Sequence, residues 1–203
     1  MTPLRFRLAA AVLVLTGMTG GIAGCDGFGS DGSSRITVKL TDYPFPCDDA
    51  EAAIVTVRRV ELAGSDSLAP VVLFDSTFVV NLLDLRDGVT ATLAEADLPQ
   101  GDYSQLRFIV ADDAAVVMKD STRFDLKVPS GPQTGIKLNL PDFSTDGLGD
   151  EVVVTVDFNV ENSFVVKGNP NSSKEIVGFN FKPVLKIQSV EINGAPVDTT
   201  AAN

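Results

Sequence analysis

Apolar residues at every second position limit what this chain can fold into more than any other feature. Val152, Val154, Val156 and Phe158 form one such run, Ile36, Val38 and Leu40 a second, and Leu106, Phe108 and Val110 a third. Phe124, Leu126 and Val128 repeat the spacing, as do Ile136, Leu138 and Leu140. Side chains on a strand alternate between its two faces, so period two reads as a strand with one face buried. After residue 34 no stretch carries the spacing of an amphipathic helix, and only Leu82–Arg86 reads as a helical turn. Roughly nine strands joined by Gly, Pro, Asn and Asp turns predict an all-β fold, an antiparallel β-sandwich, with a closed barrel as the rival. Val55 and Val57 are out of phase with Val60 and Leu62. An extra residue at Arg58-Arg59 would absorb the slip as a bulge.

The N-terminal region has a different character. Arg5 and Arg7 precede an uncharged apolar run, Leu8–Leu15, and then a stretch of small residues ending in Ile22-Ala23-Gly24-Cys25. The apolar run is too short to span a bilayer, which takes about 20 residues. The order of positive, apolar and small segments is that of an export signal. Apolar-small-small-Cys is the signal cut just before a lipidated cysteine, and in this the N-terminus resembles bacterial lipoproteins. Residues 1–24 are then a removed address, and 25–34 are a lipidated Cys25 with a Gly/Ser linker. Residues 35–193 are the folded domain, and 194–203 a disordered tail. The expected place is the cell envelope, lipid-anchored to either the inner or the outer membrane, and the membrane is the one partner the sequence implies.

Of the 16 Lys and Arg, only Arg5 and Arg7 precede Cys25, and none of the 27 acids does, so the part from Cys25 onward carries a net charge of −13. That charge opposes binding to nucleic acid or to anionic lipid heads. The chain has no histidine. Ser-His-Asp and Cys-His catalysis within it are therefore excluded, along with the commonest transition-metal ligand. Cys47, the other cysteine, has no partner once Cys25 is acylated. Acidic Asp48 and Asp49 beside it disfavour a thiolate, so it reads as a small buried hydrophobe.

Six stretches together resemble a family. They are Thr41-Asp42, Val55–Leu62 with its Arg58-Arg59 pair, and Leu98-Pro99-Gln100-Gly101-Asp102-Tyr103 running on to Arg107. Val128-Pro129-Ser130-Gly131-Pro132-Gln133-Thr134-Gly135 continuing to Leu138, Asp157-Phe158-Asn159, and Lys182-Pro183 follow in order. The set resembles the DUF4382 domain of bacterial lipoproteins over roughly residues 34–190, where members often read Asp-Phe-Asp in place of Asp-Phe-Asn. The resemblance implies export and a transthyretin- or immunoglobulin-like sandwich, and no activity.

Candidate sites are few. Asp142, Ser144, Asp146 and Asp150, with Gly147 between, place oxygen ligands at loop positions 1, 3, 5 and 9 with glycine at 6, the pattern of a calcium loop. Position 12 is Val153 where a bidentate Glu belongs, so a weak calcium site or a plain polar loop is expected there. Ser130 has Lys127 and Lys137 near in sequence but no G-x-S-x-G frame. Asp48-Asp49 and Asp112-Asp113 are adjacent acids, which on a strand would face opposite ways and not flank one sugar. The reading is a non-catalytic binding or assembly module with no catalytic residues, no cofactor beyond weak calcium, and an unidentified protein or glycan partner. A carboxylate or Ser/Lys hydrolase and a structural spacer are the alternatives.

Overall fold

The computed structural model describes residues 33–42, 45–64, 69–127, 135–146, 149–169 and 175–200. These residues form thirteen strands in two packed sheets and a small ribbon, an all-β sandwich. In the first sheet β1 (Ser34–Asp42), β4 (Ala91–Leu98), β9 (Glu151–Phe158), β12 (Leu185–Ile192) and β13 (Ala195–Val197) lie in the order β13–β12–β9–β1–β4. Ile36, Val38 and Leu40 on β1, and Val152, Val154, Val156 and Phe158 on β9, are wholly buried against the second sheet. One pair departs from the antiparallel pattern of the sandwich. β1 and β9 run parallel, Arg35–Asp42 beside Glu151–Phe158. Parallel neighbours need a long crossover, and the whole of the second sheet supplies it.

That sheet is built on β2 (Ala50–Gly64), the longest strand. β3 (Val71–Asn81) follows one edge of it. The other edge is shared by β5 (Gly101–Val110) and β6 (Ala114–Met118), which form one line broken at Ala111–Asp113. Across the break the Ala111 N–H donates to the Thr56 carbonyl at 2.8 Å. β7 (Arg123–Leu126) pairs with β6, and β8 (Ile136–Thr145) with β5. On β2, Val57 lies opposite Val110 and Arg59 opposite Ile109, so Arg58 is the extra residue of a bulge, as its phase slip implies. Residues 71–81 are a single strand. Asp75 lies across from Arg59 on the outer face, where a charged pair does not end a strand.

Phe179 and Ile187 lie on different strands. β10 (Phe164–Gly168) and β11 (Ile176–Phe181) form a separate ribbon, and the chain joins the first sheet only at Leu185. Pro183 lies between β11 and β12, where its missing N–H breaks a ladder. The ribbon closes one end of the sandwich with phenylalanines. Ring centres of Phe164 and Phe181 are 4.6 Å apart, of Phe45 and Phe164 5.3 Å, and of Phe124 and Phe179 5.4 Å. Cys47 is a free, buried cysteine, and Leu82–Leu85 is a single 3₁₀ turn, both as expected. Of the tail expected at 194–203, residues Ala195–Val197 are a strand. Asn193 and Gly194, with φ of 52° and 75°, form a tight hairpin turn that lays β13 on β12. Asn-Gly is a strong signal for a turn of this kind.

Candidate functional site

Three regions gather chemistry-bearing side chains. The first is the outer face of the second sheet. Period two sends Arg59 and Glu61 of β2 outward, and the register sets Arg107 of β5 directly across from Glu61. Arg59 Nε donates to Glu61 Oε1 at 2.6 Å, and its other arm to Asp75 at 2.9 Å; Arg107 meets Glu61 Oε2 at 3.3 Å. Glu61 is buried beneath the two guanidinium groups. Lys137 of β8 lies across from Arg107. Gly135, at φ 63°, passes against the Arg107 side chain. Residues from three distant stretches of sequence thus meet on one surface. At the β2 bulge, Arg58, Asp112 and Asp113 line a concavity of about 480 Å³ with Ala111. Asp112 and Asp113 open into the same space, contrary to the strand-based expectation, because they occupy the break between β5 and β6 and not a strand.

The second region is the end of the sandwich where β1 begins. Asp102, Ser144, Asp146 and Asp150 line an open pocket of about 380 Å³ with Gln100, Gly101 and Thr145. Three of the four proposed calcium ligands are here; Asp142 is not. Asp142 to Thr145 are extended in β8, so the stretch read as a loop begins as a strand. Ser144 Oγ donates to Asp102 Oδ1 at 2.5 Å, and Asn193 Nδ2 to Asp150 Oδ1 at 3.0 Å. Among the described residues no three acidic or cysteine side chains stand close enough to hold a metal ion. Above this pocket the Pro99–Gly101 turn carries the chain from β4 in the first sheet to β5 in the second. Tyr103 Oη donates to the Pro99 carbonyl at 2.8 Å, and Thr145 Oγ1 to the same oxygen at 2.9 Å. Burial raises the Tyr103 pKa, which keeps its hydroxyl a donor.

The third region lies at the far end of β1 and β9. Parallel pairing sets Thr41-Asp42 beside Asp157-Phe158, and Lys186 across from Asp157 on the other side. Asp157 is half-buried with Oδ1 unsatisfied, and its pKa is raised by desolvation and lowered in part by Lys186. Phe158 enters the core. Asn159 caps the one-turn helix α1 (Val160–Ser163), accepting from Asn162 N at 3.0 Å. An aspartate would cap this turn equally well. Cys25 and Ser130 lie outside the described residues.

The family model of a domain of unknown function, DUF4382, matches residues 33–183. The chain belongs to the DUF4382 family. No curated protein and no solved structure matches it. Of the stretches that resemble DUF4382 in sequence, Leu98–Tyr103 forms the turn above the pocket, and others meet in two places: Arg59, Glu61, Arg107 and Gly135 on the charged face, and Thr41-Asp42 and Asp157–Asn159 at the end of the parallel pair. Periodicity alone could not find either grouping, since both depend on which strands are neighbours. Among the described residues no helix of this DUF4382 domain is long and apolar enough to cross a membrane.

Proposed function

We propose that the chain is a non-catalytic binding module, held at a bacterial cell envelope by lipid on Cys25 and presenting the charged face of its second sheet to a partner. The observation that supports this is the meeting of Arg59, Glu61, Arg107 and Gly135 on one solvent-facing surface beside the Arg58 concavity. Such a network fixes guanidinium groups in place, and fixed arginines lose little freedom when they engage a partner's carboxylates or carbonyls. The partner class this favours is a polypeptide surface. The strongly acidic remainder of the chain disfavours nucleic acid.

Two measurements test the two halves of the reading. Metabolic palmitate labelling and fractionation should place the wild type in membranes and Cys25→Ser in the soluble fraction; unchanged labelling in the mutant removes the tether. A photo-crosslinking residue at position 58 should capture a discrete protein in cells, while the same residue at position 186, on the outer face of the first sheet, should not. Equal capture at both positions, or none at 58, removes the binding face.

A further inference from the structure

The concavity at the β2 bulge is lined by charges of both signs, and we infer that it binds a free amino acid with a basic side chain. Two irregularities in neighbouring strands meet there. Val57 is paired with Val110 and Arg59 with Ile109, which leaves Arg58 outside the ladder. Beside it the line of β5 and β6 is broken at Ala111–Asp113, and the Ala111 N–H ties the break to the Thr56 carbonyl. A bulge re-aims the side chain it carries, and bulges gather next to functional sites for that reason. Here bulge and break together bring Arg58, Asp112 and Asp113 to one space of about 480 Å³. That volume falls in the range of small-molecule sites, about 300–1,000 Å³.

These charges stand apart from one another. Among the described residues, Arg58 is the one arginine whose side chain has neither an ion pair nor a hydrogen bond. Arg35, Arg59, Arg107 and Arg123 each hold a carboxylate, and Arg86 holds the Leu83 carbonyl. Asp112 and Asp113 line the same space, yet no nitrogen of Arg58 lies within 4.0 Å of either carboxylate. The room between them suits a molecule carrying the opposite charges. A guanidinium fork matches a carboxylate bidentately. Two adjacent aspartates repel each other, and each can receive an ammonium group. One carboxylate and two amines, the charge set of lysine, answer the three groups one for one. A neutral amino acid leaves an aspartate unanswered, and an acidic one or a phosphate brings negative charge to where two carboxylates already stand. A bare metal ion would find two acids and an opposing guanidinium, and among the described residues no three acids gather to hold one.

The inference rests on the reading of this face as a recognition surface, but it needs neither the tether nor a protein partner. The test is an amide chemical-shift titration of the full chain carrying Cys25→Ser, at constant pH and ionic strength. Lysine should bind saturably, with a dissociation constant of about a millimolar as suits an open site, and should shift the amides of residues 58 and 111–113. Leucine and glutamate should bind more weakly by about tenfold or more. Arg58→Lys keeps the charge and loses the fork, so it should weaken lysine and leucine alike. Asp112→Asn combined with Asp113→Asn should bring lysine down to the level of leucine and leave leucine unchanged. All three side chains are exposed, so the melting temperature should not move in either variant. Shifts that never saturate, or that map away from the bulge, overturn the inference. So does equal affinity for lysine, leucine and glutamate, or lysine binding that survives both sets of substitutions. Capture of a protein at position 58 without lysine binding overturns the inference alone; lysine binding without capture upholds it and removes only the protein partner.

Discussion

Gly135 lies so close to Arg107 that a Cβ at residue 135 would stand 2.8 Å from Arg107 Nε and 3.0 Å from the Phe108 carbonyl oxygen. Its φ of 63° adds the left-handed strain that any other residue would bear. Gly135→Ala should therefore destabilise the domain by about 1–2 kcal/mol and push Arg107 away from Glu61. Denaturant unfolding measures the loss; an alanine variant as stable as the wild type would show that the close approach relaxes without cost.

Glu61 should matter more to stability than either arginine it holds. Glu61→Ala leaves two guanidinium groups facing each other and should cost about 1–2 kcal/mol, a figure discounted because both arginines are about one-third exposed. Arg107→Ala leaves Glu61 paired with Arg59 and should cost less. A double-mutant cycle over the two positions, repeated in high salt, should show a coupling that shrinks as salt rises.

The Pro99 carbonyl accepts from both Tyr103 and Thr145. Tyr103→Phe or Thr145→Val alone leaves it one donor and should cost about 1 kcal/mol. The double mutant orphans the oxygen and should cost more than the sum of the two, which urea unfolding of the three variants can read. Strict additivity would mean that water already satisfies the carbonyl.

Asp157 predicts a pH effect of definite sign. Its folded pKa is raised, chiefly by desolvation, so the folded state holds the proton more tightly than the unfolded chain does. Stability from this group is therefore greatest below the unfolded aspartate pKa and falls as pH rises through the raised folded value. Asp157→Asn should raise the melting temperature at neutral pH, and the advantage should fade toward acid pH. A gain that persists unchanged in acid would assign the effect to something other than ionisation.

Calcium should do little. Asp142 lies outside the pocket that Ser144, Asp146 and Asp150 share with Asp102, and Asp150 already accepts from Asn193. Millimolar calcium at constant ionic strength should leave the melting temperature of the wild type and of Asp146→Ala equally unmoved. A rise confined to the wild type would restore the loop as a cation site.

The sequence made the faces of strands legible but not their neighbours. Alternation identified the inward residues of β1, β8 and β9, and a phase slip located the bulge at Arg58, because both are local consequences of the two-residue repeat. Pairing of Ile36 with Val152 depends on contacts over the length of the domain and leaves no local trace. The charged face was hidden for the same reason: Glu61 and Arg107 are each unremarkable outward residues until β2 and β5 are laid side by side. The turn at Asn193-Gly194 is missed by reading 194–203 as a tail, although that dipeptide accepts positive φ at both positions.

The place of β1 has a consequence for how the molecule comes into being. The first strand of the domain occupies the middle of its sheet, flanked by β4 and by β9, whose partner residues lie more than a hundred positions downstream. A chain emerging N-terminus first can pair β1 with β4 early, but β1's second edge stays bare until β9 has emerged. Closing that pair fixes a loop spanning most of the domain, and long-range closure of this kind slows folding. Assembly of the first sheet is thus a late event, completed only after nearly all of the second sheet is available to pack against it. Slow refolding, governed by the arrival of β9, is the kinetic signature to expect.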